Sequence, residues 1–283
     1  MIIVPYTILL IGDDSDRAFM EQLYRITFRD GSHLDAGERH LWAVQVVNNG
    51  NRSKILTTGD IYKKTLAYRQ RHQGTRDENR SVVRIPIARP LSIQERELPL
   101  DPYVYGYWLG NGNSIKPELT VRTCDKERII ESIPYPISSS WMQQGEGSVV
   151  LRVPALKPLL LKSFRDKAIL PVYLRASEDQ RWELLQGLMD SDGCIGTSKS
   201  QSIYVSTIRQ LAETVRELLW SLGIKNAMTT PPSLRYGIPT GETLYTIRFT
   251  TFEDQPTSRL QRKAERKRER VKETRSCFHY IQD

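Results

Sequence analysis

Two short blocks of this chain carry chemistry-bearing residues at matched positions. VYGYWLGNG spans Val104 to Gly112, and LQGLMDSDG spans Leu185 to Gly193. Both have glycine at the third and ninth positions; at the eighth, the first block carries Asn111 and the second Asp192. Small residues also recur one turn apart, Gly106 with Gly110 and Gly187 with Ser191. Positions without side-chain bulk let two helix backbones touch. Packed side by side, such helices bring their C-terminal ends together, with Asn111 and Asp192 on them. A helix C-terminus carries roughly half a negative charge, so an acid there costs about 0.3–1 kcal/mol. A divalent cation resolves the conflict, because Mg²⁺ favours carboxylate, carbonyl and phosphate oxygens. A metal held between two helix ends above a basic β-surface suits phosphodiester hydrolysis. A helix-ending turn would explain DSDG alone; the repetition favours a site.

The surrounding pattern supplies elements to hold the blocks. Pro102 stands at a first helical turn before the first block. Ser177 with Gln180 forms a capping-box arrangement before the second. Strand-like ELTVRT and SVVLRVP follow the first block, and QSIYVSTI and TLYTIRFTTF follow the second. RQLAETVRELLWSLG reads as an amphipathic helix closed by Gly223, and PALKPLLLKSFRD is expected to be helical. The middle of the chain is thus an internal duplication. Upstream the chain looks β-rich, with LYRITF and HLWAVQVV as strands and TTGDIYKKTLAYRQRH as a short helix. RPLSIQERELPLDP reads as a linker. SRLQRKAERKRERVKETR is densely basic, equally a solvated helix with i to i+4 pairs or a DNA-backbone contact.

The 283 residues, 39% hydrophobic and 26% charged, have room for one large or two ordinary domains. The formal net charge of +8 points toward a polyanionic partner. Cys124, Cys194 and Cys277 match no metal spacing or disulfide framework, which favours a reducing, intracellular setting. MIIVPYTILLIG lacks a cationic n-region and a cleavage site and reads as a buried strand. No apolar run approaches the roughly 18 residues of a membrane span.

The two blocks resemble the paired motifs of LAGLIDADG homing endonucleases, and the first is similar to the variant found in endonucleases embedded in inteins. KAILPVYLRASEDQRWELLQGLMDSDG resembles the family's Lys-x-Ile-Pro block running into the second motif, with Leu170 in place of the usual Ile. LYRITFRDGSHLDAGERHLWAV resembles the intein block whose histidine, here His40, assists the first splicing step, with Trp42 two residues on. SRLQRKAERKRER and SCFHYIQD resemble the return from the endonuclease into the splicing domain.

The resemblance implies an α+β fold. Residues 97–255 would form a pseudo-two-fold LAGLIDADG endonuclease domain, with two αββαββα-type repeats, about 97–174 and 175–255, shaping a β-saddle. Residues 1–96 would be a partial, mostly β Hint-like region, and 256–283 a basic return segment. It implies Mg²⁺ as cofactor, with Mn²⁺ able to substitute, held by Asp192 and Asn111 and by main-chain carbonyls of Gly110 and Ser191. It places Lys167 beside the scissile phosphate. The partner would be double-stranded DNA with a long specific site, gripped by a monomer. Lys116, Arg122, Lys126, Lys199, Tyr204, Arg235 and Arg248 are the candidate DNA contacts, each equally explained as an ordinary surface residue.

Departures from the family matter. Asn111 replaces an acid, keeping an oxygen acceptor but losing the charge that holds Mg²⁺. The chain begins at Met1, without a Cys or Ser nucleophile, and ends before a His-Asn pair. As written it is not expected to splice in cis, and His40 reads as a packed scaffold residue. The expected activity is a metal-dependent endonuclease, impaired and strand-biased toward nicking. The alternatives are a catalytically inactive DNA- or RNA-binding relic and a component of a split intein.

Overall fold

A computed structural model describes the chain except residues 1–2, 11–18, 29–32, 47–52, 79, 143–146, 197–200, 236–237, 253, 267–277 and 281–283. It divides into two compact units, Met1–Ala88 with Glu273–Asp283, and Arg89–Lys272.

The first unit is mostly β. Strands β1 (Ile3–Leu10), β2 (Phe19–Thr27) and β3 (His33–Gly37) make an antiparallel sheet in that order. β4 (Leu41–Val46), β5 (Ser53–Thr57), β6 (Val83–Pro86) and the late strand Phe278–Tyr280 make a second. Helix α1 (Thr58–His72) opens on a capping box, the Asp60 amide donating to Thr57 Oγ1 at 3.0 Å. Tyr24, Ile26 and Phe28 alternate inward and pack with Val44, Ile61 and Val83.

The second unit carries the duplication. Its first repeat runs α2 (Pro102–Asn111), β7 (Glu118–Arg122), α3 (Lys126–Glu131), β8 (Ser139–Met142) and β9 (Ser148–Arg152). After the short helix α4 (Pro171–Leu174), the second runs α5 (Glu178–Ser191), β10 (Gly193–Ile195), β11 (Gln201–Ser206), α6 (Arg209–Ser221) and β12 (Asn226–Thr229). A hairpin of β13 (Pro232–Arg235) and β14 (Ile238–Thr243) then leads to β15 (Tyr245–Thr250), and α7 (Gln261–Ala264) follows. The second sheet has the order β10-β11-β15-β12, and the first has β7-β9-β8. A single bridge from Gly112 to Leu119 stands where β10 lies in the second sheet, which pairs Gly193 with Tyr204. The strand orders therefore match, and β13–β14 is an addition to the second repeat.

Two expectations change. PALKPLLLKSFRD is not a helix: it gives 3-10 turns at Pro154–Leu159 and Phe164–Asp166, because Pro158 removes a backbone donor inside the run. The RPLSIQERELPLDP stretch is extended but anchored. Fully buried Arg181 donates to Leu91 O, Ser221 O and Ala176 O, and Gln180 Nε2 donates to Arg96 O at 2.6 Å. Tyr173 Oη accepts from Leu100 N at 3.0 Å.

Helices α2 and α5 form the centre. α2 is buried from Pro102 to Leu109 and is apolar all round, as a helix enclosed on every side must be. A Cβ at Gly106 would stand 2.2 Å from Leu184 O, and one at Gly187 would stand 2.1 Å from Tyr103 O. The backbones touch. Gly187→Ala is therefore expected to cost about 1–3 kcal/mol by overpacking. Urea unfolding measures it, and an unchanged midpoint would show that the helices separate freely.

Candidate metal and DNA site

The close approach continues to the helix ends. A Cβ at Gly110 would lie 2.1 Å from Ser191 Oγ and 2.9 Å from Asp192 Oδ2, so Asp192 reaches across to the last turn of α2. Two carbonyl-bearing helix termini and a carboxylate thus share one place, and unfavourably so without cations. Two lysines answer them. Lys167 Nζ donates to Trp108 O at 2.9 Å and Gly112 O at 2.7 Å, capping α2. Lys263 Nζ donates to Met189 O at 2.6 Å, Gly193 O at 2.8 Å and Asp190 O at 3.1 Å, capping α5. Both lysines are buried. Loss of water pulls the Lys167 amine down to about 8, against the upward pull of Asp192. Burial lowers Lys263 as well, opposed by Asp190.

A cleft of about 490 Å³ opens here, lined by Gly110, Gly112, Lys167 and Asp192 together with Phe164 and Ser206. Asp192 meets solvent through it while protein crowds its other sides. That crowding raises its pKa, and Lys167 and Lys263 pull it back. Asn111 takes a different part. Half-buried, it lies one turn beyond Tyr107, whose hydroxyl donates to Thr120 O at 3.1 Å. The Tyr204 hydroxyl is buried without a hydrogen-bond partner and feels the charge of Asp192.

Among the described residues no three His, Cys, Asp or Glu side chains converge on a metal position. Of the expected donors, the Asp192 carboxylate and Gly110 line the cleft, whereas Asn111 and Ser191 are not among its lining residues. All are hard oxygens, which suits Mg²⁺ or Mn²⁺ rather than a soft metal. With a single charge among them, they fit a cation that also takes oxygens from water and a substrate phosphate.

Of the expected DNA contacts, Arg122 lies exposed at the end of β7, and Lys116 in the loop before it. Arg248 is exposed on β15 and donates to Thr229 Oγ1 at 2.9 Å. Lys126 is half-buried and opens α3 rather than sitting on a strand. Tyr204 is corrected: it is fully buried, because the inward row of β11 is Ser202, Tyr204 and Ser206, while Ile203 and Val205 face outward. Arg235 lies on β13, its side chain not described, and Lys199 lies outside the described residues. In the first unit, exposed His40 meets Trp42 edge-on at 4.7 Å, and Trp42 Nε1 donates to Thr58 Oγ1 at 2.9 Å.

Lys263 escaped the sequence reading, which placed it in a solvated basic run. A signal existed: FRDKA at 164–168 and LQRKA at 260–264 repeat the Lys-Ala pair after each block. The duplication extends beyond residue 255, and the structure packs Ser258 to Ala264 within the second unit. Asp190 was also passed over, and it proves buried in a polar cluster.

Residues 179–251 match the family model of a LAGLIDADG-like domain. The match spans the second repeat from α5 to β15. The chain is 31% identical over 275 residues to the replicative DNA helicase DnaB of Mycobacterium intracellulare, covering 92% of this chain and 44% of the relative. It is 24% identical over 229 residues to a DNA polymerase of Thermococcus sp. (strain GE8), covering 74% of this chain and 13% of the relative. The chain thus spans less than half the length of these curated relatives. Solved structures of the homing endonuclease I-DmoI are similar at 16% identity and a TM-score of 0.35, over 54% of this chain and 88% of that one. Another, in complex with DNA and Mn, has a TM-score of 0.36. Among the described residues no helix is long and apolar enough to cross a membrane.

The depressed lysine gives a measurable sign. Between about 8 and the ordinary 10.5, the unfolded chain holds the Lys167 proton that the folded protein releases. Wild type should therefore gain stability relative to Lys167→Met as pH rises through that window. Chemical denaturation across this range measures it; a flat difference would show an unperturbed amine.

Proposed function

We propose that the second unit is a site-specific, divalent-metal-dependent DNA endonuclease, weakened at one of its two half-sites and biased toward nicking a single strand. The observation that carries this reading is the meeting of Asp192 and Lys167 at the facing ends of α2 and α5, within a solvent-open cleft. The LAGLIDADG-like match and the basic charge support it.

When bound, a divalent cation supplies Lewis-acid polarisation of phosphoryl oxygens and a more acidic water. Asp192 would hold the cation's charge, and the Gly110 and Ser191 carbonyls and the Asn111 amide would be its neutral donors. Lys167 lines the cleft as a desolvated cation, where attraction for a phosphate building charge is less screened than in water. Its pKa of about 8 leaves it mostly protonated at neutral pH and able to exchange a proton. Lys263 takes the equivalent place at α5. Arg122, Arg248, Lys116 and Lys126, with Arg235 and Lys199, would track the phosphates of a duplex lying along the two sheets as on a saddle, and binding would weaken steeply with salt.

The mostly β first unit fits a Hint-like, splicing-type region. A replicative helicase and a DNA polymerase share no activity, yet part of each matches this chain. A segment carried inside unrelated hosts explains that better than either host's function. Binding without cleavage is the second reading, favoured by Asn111 standing where the second block has Asp192, so that the paired positions carry one carboxylate.

A supercoiled plasmid library of candidate sites, incubated with Mg²⁺ or Mn²⁺, tests both. Open circles ahead of linear product support nicking; specific binding with no conversion under either metal selects the inactive binder. Asn111→Asp should raise double-strand cleavage at least about tenfold, a gain of roughly 1.4 kcal/mol. No change would show that position 111 takes no part in catalysis.

A further inference from the structure

Resting on that reading of the site, the geometry points to Asp190 as the positioning residue for Lys263. Its carboxylate fastens the 256–263 segment to α5, so that the amine is delivered to the helix end. Asp190 is the sixth residue of the second block; the matching residue of the first is Leu109. It is buried, does not line the cleft, and saturates both oxygens. Oδ1 accepts from the Ser258 hydroxyl, and Oδ2 accepts from Tyr103 Oη and the Arg259 amide, both at 2.9 Å.

Those three donors come from two places. Tyr103 belongs to α2, whereas Ser258 and Arg259 begin the segment that ends at Lys263. The same segment is tied on either side. Gln186 Nε2 donates to Pro256 O at 3.0 Å, and Arg259 Nε donates to Gln186 Oε1 at 2.9 Å. The Arg259 guanidinium lies 4.1 Å over the Tyr103 ring. Farther on, Arg262 Nε donates to Asp125 Oδ1 at 2.8 Å, fastening the segment to the first repeat as well. The Asp190 clamp is buried in the core where the segment meets both central helices. Lys263 follows one turn later, at the end of a short helix too brief to hold itself. Lys167 has no such carboxylate: it arrives after Ser163 and a 3-10 turn and rests on the Trp108 ring, 4.9 Å away.

Amine acetylation followed by mass spectrometry tests the assignment, with Lys167 as internal standard. In wild type both lysines should be protected. Asp190→Leu, which writes the first block's residue into the second, should raise Lys263 acetylation about tenfold and leave Lys167 protected. Asp190→Asn, which retains an acceptor, should restore most of the protection. Under the proposed activity, Asp190→Leu should also lower kcat without raising KM, with no further loss in a Lys263→Met background. Protected Lys263 in folded Asp190→Leu would overturn the proposal, as would rate losses additive with Lys263→Met. Should Asp190→Leu fail to fold, Lys167 reacts equally and Ser258→Ala decides: a selective rise at Lys263 supports the clamp, and none overturns it. Selective exposure of Lys263 with no cleavage by any form would leave the clamp standing and remove the endonuclease reading instead.

Discussion

The contact between two helix backbones at Gly106 and Gly187 governs the second unit. Once α2 and α5 touch, their carbonyl ends must lie together, and the Asp192 carboxylate joins them. Nothing in a hydrophobic core neutralises that concentration of negative potential. Lys167 and Lys263 do so from the two segments that follow the sheets, each donating to the carbonyls of one helix. Their burial, expensive for an ammonium, is offset because each amine donates to two or more carbonyl oxygens at a helix end.

The two halves built on this contact are unequal. Where the second has Asp190, Asp192 and Tyr204, the first has Leu109, Asn111 and Leu119. Tyr107, one turn before Asn111, already feels Asp190, Asp125 and Asp192. An acid at position 111 would add a further negative charge to that neighbourhood, tolerable only with a cation bound. Under the proposed function, the amide would avoid that cost in the metal-free protein and give up metal affinity in exchange, setting stability against activity at one position.

Much of the fold was legible locally. The capping residues of α1 and α5, the proline opening α2 and the amphipathic run of α6 all mark elements through contacts within a few residues. Lys167 was placed by the family's Lys-x-Ile-Pro pattern. Tyr204 was misread because the buried row of β11 is the more polar one, Ser202, Tyr204 and Ser206, while Ile203 and Val205 face outward. Lys263 was hidden by its setting in a run of charges, which looks solvated until the chain is folded back.

The sequence by itself determined the duplication, the glycine spacing that allows two helices to touch, and the pairing of Asn111 with Asp192 at matched positions. Those are matters of residue type and interval. Only the tertiary structure decided that Lys263 caps α5, that Tyr204 points inward, and that Arg181 anchors the stretch from Leu91. The reason is physical: a buried polar group takes whatever partner the packed chain brings within about 3 Å, and proximity between residues far apart in sequence exists only after folding.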